Sequence, residues 1–271
     1  MKQSPAACGI ITLLTDFGTS DPFVGVMTGV VLSRFPAARV VDLCHGIRPG
    51  AIAEAAFWLE RCYAWFPPGS VHVSVVDPGV GSERRILGAA IDGHFFLAPD
   101  NGCFGPKLLA ASGAEFRSLD LARLALPLPS ATFHGRDVFA PIAAGLASGA
   151  LGFAELGPRA DPLPSSLPVP VLSADRLQGE VVTVDRFGNL ITNLDASFWS
   201  SQAVSEVSIA SRRVQLHRTY SDAASGELVA LVNSFGVLEI AEAGGNAERS
   251  LGSGRGTPVE LTLSSAARVR G

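Results

Sequence analysis

The chain has 271 residues, 47% hydrophobic and 17% charged, which is enough to bury a full core and large enough for that core to divide in two. A net charge of −4 with no Lys/Arg run argues against nucleic acid or an anionic membrane as the main partner, since both need a concentrated basic surface. The opening MKQSPAACGIITLL is too short in apolar residues for a membrane span or a cleavable leader before Asp16 interrupts it, so a soluble, cytoplasmic protein is expected. Cys8, Cys44, Cys62 and Cys103 are scattered, with no C-x-x-C pair and no histidine at zinc-ligand spacing, and they read as small core hydrophobes.

Gly9 to Thr15 is a continuous apolar run of strand length that ends in Asp16-Phe17-Gly18. After a polar loop, Asp21-Pro22 reads as the N-cap and first residue of a helix through Phe35, with Phe23, Val26, Met27, Val30 and Val31 on its buried face. Ala38 to Cys44 is the next strand and Ala51 to Trp65 the next amphipathic helix. A third strand, rich in valine from Val71 to Val76, breaks at Asp77-Pro78-Gly79 and so delivers a second carboxylate to a strand end. Gly79, Gly81, Arg84 and Arg85 follow, a loop able to approach a ligand and closed by fixed positive charge, although a plain turn with a solvated basic pair has the same sequence.

Ile86 to Ile91 and His94 to Ala98 flank Asp92-Gly93, a strong hairpin signal, so the sheet is expected to be mixed. A short helix around Lys107 to Ala111 and a strand from Glu115 to Leu119 come next. From Asp137 a small-residue helix is expected, with His134 and Arg136 on the loop at its positive end, where His134 also suits a simple capping role. Gly157 to Val171 carries five prolines and reads as a stiff linker. Beyond it, seven short strand-like runs separated by Gly, Asn, Asp and Ser, without helical patterns, predict a small antiparallel sandwich or barrel. The expected organisation is therefore an α/β domain over 1–160 with a mainly parallel sheet flanked by helices, a linker over 161–172, and an all-β domain over 173–271. Asp185 to Asn189 and Asn233 to Gly236 fall at strand tips, each with an exposed aromatic, and such tips could sandwich and edge-read a purine or simply turn the chain.

No G-x-x-x-x-G-K-[ST] and no G-x-S-x-G is present, and the five histidines never fall at i, i+4, which leaves a metal site unsupported. The motifs that do occur, LLTDFG at Leu13, DPGVGSERR at Asp77, HGRDVFAP at His134, DRFGN at Asp185 and NSFG at Asn233, resemble in order those of the S-adenosyl-L-methionine hydroxide adenosyltransferases, relatives of the fluorinase and chlorinase. The resemblance spans both expected domains. It implies hydrolysis of S-adenosyl-L-methionine (SAM) at the ribose C5′ to adenosine and methionine, with SAM as substrate, no cofactor and no metal. It also implies a homotrimer whose sites lie between subunits.

By the same resemblance Asp77, Arg84 and His134 activate water and Asp16 grips the ribose diol. Asp185 holds the substrate ammonium, Phe187 and Asn189 lie close to adenine, Ser234 lies near the methionine end, and Asp21 and Phe235 join the binding set. Two departures from the halogenases stand out. They carry a tyrosine-serine pair where this chain has His134-Gly135, and a ribose-stacking tryptophan where it has Gly50; the missing serine, a halide ligand in them, favours water as the nucleophile. The chemistry is reasonable for such residues, because attack at C5′ expels a neutral thioether that needs no proton, leaving only the water to be activated. A SAM-dependent halogenase and a non-catalytic SAM or adenosine-binding module are the competing readings. Halide-dependent product would mark the first, and binding without turnover the second.

Overall fold

The computed structural model describes residues 6–265, so the first five residues of the N-terminal segment read above and the last six of the chain lie outside it. It divides into two compact units, Met1–Leu167 and Pro168–Gly271.

In the first unit β1 (Ile10–Thr15), β2 (Arg39–Cys44), β3 (Val71–Val75), β4 (Ile86–Ile91), β5 (His94–Pro99) and β6 (Glu115–Ser118) form one sheet in the order β2-β1-β3-β5-β4-β6. β2, β1, β3 and β5 are mutually parallel, and β4 runs against both β5 and β6. Alternate residues of β1 enter different cores. Ile11 and Leu13 join Met27 and Val31 of α1 (Phe23–Arg34) and a row of small residues from a helix near the end of the unit, whereas Leu14 joins Ala55 of α2 (Ile52–Cys62). Helices thus cover both faces, which is why β1 reads as an unbroken apolar run and not an alternating one. α3 (Pro106–Leu109) is a single turn, and α4 (Ala140–Ser148), which packs against α1, supplies that row of small residues. From β1 the chain steps to β2 on one side and then to β3 on the other. The loops after β1 and β3 therefore face each other at a switch point of the sheet, the place where open α/β sheets hold ligands.

Several expectations change at this level. Asp21 does not cap α1: Pro22 occupies the N-cap position with no side-chain cap, and Asp21 lies one residue too early to reach the free amides. Phe23 and Val26 are exposed, and only Met27 and Val31 of that helix are fully buried. The helix expected from Asp137 begins earlier, as a π turn over Gly135–Phe139 that runs into α4 and makes His134 its N-terminal flank. Only Cys103 is a core residue; Cys8 is exposed, and Cys44 and Cys62, at element ends, are half-buried. His72 and His94, on paired strands, approach to 3.1 Å between Nε2 and Nδ1, and burial holds His72 down at about 3, so the pair stays uncharged at neutral pH.

The proline-rich stretch is bonded along the first unit. Pro158 and Phe116 exchange backbone bonds with Ser118 and Ala160, Asp100 Oδ1 accepts from Leu163 N, and Gly102 O accepts from Ser166 N. In the second unit β7 (Val171–Ser173), β8 (Arg176–Val184), β9 (Leu190–Asp195), β10 (Gln202–Ile209), β11 (Arg212–Leu216), β12 (Leu228–Val232), β13 (Val237–Glu242) and β14 (Pro258–Ser265) form a sheet that closes through a β14–β8 pairing. The barrel surrounds its own core of Leu177, Val181, Leu190, Val207, Ile240 and Leu261. Its strands are antiparallel except β11 and β12, which run parallel, and it carries a short α-helix, α5 (Ala247–Leu251), that the sequence pattern did not indicate.

Candidate active site

Asp77 stands one residue past the fully buried Val76 at the end of β3. The loop that follows folds on itself: Val80 N donates to Asp77 O, Ser82 Oγ donates to Gly79 O at 2.7 Å, and Arg84 N donates to Ser82 Oγ. This brings Arg84 back over the carboxylate in a two-point pair, Nε to Oδ1 at 2.6 Å and Nη2 to Oδ2. Their side chains are 10% and 4% exposed, so the pair is shielded from bulk water.

Arg84 Nη2 also donates to His134 Nδ1 at 2.9 Å. Gly81 makes that contact possible. At φ +80° a Cβ there would sit 2.3 Å from Ala131 O, so only glycine lets this loop lie against the segment that carries His134. Burial, and then the positive charge of Arg84, hold the His134 imidazole below its ordinary value. With Nδ1 accepting from Arg84, neutral His134 carries its proton on Nε2 and has a donor to offer. A carboxylate acceptor, a fixed cation and an imidazole donor within one contact chain are what orienting and deprotonating a water requires.

Asp16 follows β1 and accepts from Gly50 N at 2.8 Å through Oδ2. Gly50 in turn sits against Pro78, so the Asp16 and Asp77 loops are contiguous. Sequence reasoning passed over an aromatic cluster here. Phe17, Phe23 and Phe133 pack with ring centroids 5.3–6.0 Å apart, tying the Asp16 loop and the start of α1 to the His134 segment. Two of the three adjoin a candidate residue in sequence, which was the available signal.

In the second unit the Asp185 carboxylate builds its own turn. Oδ1 accepts from Phe187 N and Asn189 N, and Oδ2 accepts from Asn189 Nδ2, each at 2.8–2.9 Å. One acceptor position of Oδ2 is left over. Gly188 has Asn246 directly over it, where a Cβ would fall 2.1 Å from Nδ2, so the turn is seated on the start of α5. The ring of Phe187 is 73% exposed.

At the other tip Asn233 Oδ1 accepts from Phe235 N, and its Nδ2 donates to Glu239 Oε2. Tyr220 Oη donates to Glu239 Oε1 at 2.6 Å. Burial, with Asp185 adding its charge, raises Glu239 above the usual carboxylate range, while Tyr220 and Asn233 offset part of that. Neither Tyr220 nor Glu239 was singled out from the sequence. The two tips are not side by side. Leu190 pairs with Ile240 at one end of β9, and Ala196 N bonds Gly236 O beyond the other, so the register separates Asp185–Asn189 from Asn233–Gly236 along the strand. Among the described residues no group of three or more His, Cys, Asp or Glu is arranged to hold a metal ion, and no helix is long and apolar enough to cross a membrane.

This combination of a switch-point site on an α/β unit and a closed barrel has counterparts. Residues 11–157 match the SAM hydroxide adenosyltransferase N-terminal domain and residues 179–260 the C-terminal domain of the same family. An (R)-S-adenosyl-L-methionine hydrolase of Thermus thermophilus is 40% identical over 258 residues, 93% of this chain and 98% of that one. Another, from Salinispora tropica, is 38% identical over 259 residues, 93% and 97%. A solved structure of an uncharacterized conserved protein from Thermotoga maritima superposes with a TM-score of 0.84 at 32% identity, over 93% of this chain and 99% of that one. The chain belongs to the SAM hydroxide adenosyltransferase family.

Proposed function

We propose that this protein hydrolyses S-adenosyl-L-methionine, in the (R) form at sulfur that its relatives' names specify, to adenosine and L-methionine without a metal. The observation that carries the reading is the contact chain Asp77–Arg84–His134 in a protein 40% identical to such a hydrolase. Water attacks C5′, the C5′–S bond breaks, and its electron pair stays on sulfur as a neutral thioether. The proton released by the water passes to Asp77. His134 donates through Nε2 to the water oxygen and turns a lone pair toward C5′, and Arg84 fixes both partners and stabilises the developing hydroxide.

Asp16 accepts from the ribose hydroxyls. Phe187 and Asn189 at one tip of the barrel serve adenine, and Ser234 and Phe235 at the other serve the methionine end. Asp185 has room for one further donor, which an ammonium fills. Asp21, exposed at the entry to α1, completes the binding set. Because the assigned residues are divided between the two units, the reading includes a closed homotrimer with each site shared by neighbouring subunits. It also includes a cytoplasmic location, to which the four free cysteines are suited. The deciding experiment is to incubate the purified protein with each sulfonium epimer and quantify adenosine and methionine. Equal molar release of both from the (R) form confirms the reading, and bound but intact substrate refutes it.

A further inference from the structure

Beside the charged trio, one buried contact ties the loop after β1 to the loop after β2. Thr15, the last residue of β1, is fully buried; its Oγ1 accepts from Phe17 N at 3.2 Å and lies 2.9 Å from His45 Nδ1. The backbone carbonyl of His45 accepts from Gly18 N at 2.8 Å, and His45 Nε2 lies 3.1 Å from Asp42 Oδ1. Asp16 is therefore bracketed, with the amide of Phe17 held by Thr15 and that of Gly18 held by His45. The same His45 loop carries Gly50, whose N–H holds Asp16 Oδ2. Oδ1 of Asp16 has no hydrogen bond from the described residues.

The roles at Nδ1 are consistent: Thr15 Oγ1 accepts from Phe17 N, so its single hydroxyl hydrogen goes to His45 Nδ1, which accepts it, while Nε2 lies near Asp42 without a hydrogen bond from the described residues. A threonine and a histidine this deep, spending their polar atoms on one turn, need a reason beyond packing: a valine and a leucine would fill the space without any polar group to satisfy. The turn they hold is the one that aims a carboxylate.

We propose that Thr15 and His45 are positioning residues for Asp16, fixing its carboxylate so that Oδ2 is committed to Gly50 and Oδ1 is presented to the ligand. The proposal rests on the reading of Asp16 as the residue that accepts from the ribose. It assigns neither Thr15 nor His45 any contact with substrate.

The test is a set of variants of the full-length protein, assayed for adenosine formation from SAM, with melting temperature recorded for each. Thr15→Val and His45→Gln, which keep volume but lose the Oγ1–Nδ1 contact, are expected to raise KM roughly 10-fold with a much smaller change in kcat. Thr15→Ser and His45→Asn, whose polar atoms fall where Oγ1 and Nδ1 lie, are expected to recover most of that loss. In an Asp16→Ala background Thr15→Val is expected to add nothing, because the residue it acts through is gone. A Thr15→Val effect that persists in full on top of a raised KM in Asp16→Ala overturns the positioning role alone, and so does a failure of both conservative variants to recover KM. An Asp16→Ala variant with wild-type KM refutes the ribose assignment itself, a separate result.

Discussion

At the scale of single residues the site is a chain of committed hydrogen bonds, and its members have separable duties. On the proposed reading Asp77 takes the proton of the water and anchors no group of the substrate, so Asp77→Ala is expected to lower kcat by about 10²-fold or more while SAM still binds. Isothermal titration on the variant checks this, and affinity lost in step with rate would make Asp77 a ligand contact. In the proposed mechanism His134 is expected to set the acid limit. Its value is lowered, first by burial and then by Arg84, so the neutral imidazole that accepts from Arg84 persists below the ordinary 6.5 and is lost only as pH falls through the lowered value. The rate is expected to be flat above that point and to fall with one proton below it. His134→Asn keeps an acceptor for Arg84 without a titrating ring, so its pH–rate profile is expected to lose the acid limb while running lower throughout. An unchanged limb would assign the titration to another group.

At the scale of elements, two loops and one helix start meet because a glycine permits it. Gly81→Ala places a side chain in the left-handed region and against Ala131 O, at a cost of roughly 1–2 kcal/mol, and separates Arg84 from His134. A drop of several degrees in melting temperature is expected, with at least about a 10-fold loss of kcat. A variant that melts lower yet turns over at the wild-type rate would show that the Arg84–His134 contact is dispensable. The elements themselves were largely legible. β1, β3 and the Asp92-Gly93 hairpin carry local signals in residue type and spacing, and they form where those signals lie. α5 was not legible, because five residues beginning after Asn246 are too few to show a helical period.

At the scale of the whole molecule, the trimer reading makes a claim on mixtures. If each site takes Asp77 from one subunit and Asp185 from its neighbour, Asp77→Ala and Asp185→Ala chains, each inactive alone, are expected to regain activity when unfolded and reassembled together, since some interfaces then pair two intact faces. Full activity in a species that sediments as a monomer at the assay concentration, or no recovery in mixed assemblies, would reject the shared site.

The sequence alone determined the alternation of strand and helix up to the proline-rich stretch, the change to short strands after it, and the two carboxylates at strand ends. These follow from local periodicity and from residues that stop a strand, which need no partner to be read. Only the tertiary structure decided which of those residues meet. Sheet order put the loops of Asp16 and Asp77 side by side, the loop after β3 folded Arg84 back onto Asp77, and the register of β9 against β13 set the two barrel tips apart. The part played by His45 was hidden from the sequence for the same reason. A histidine thirty residues from Thr15 has no periodic relation to it, and the two meet only because parallel pairing of β1 with β2 brings their ends together.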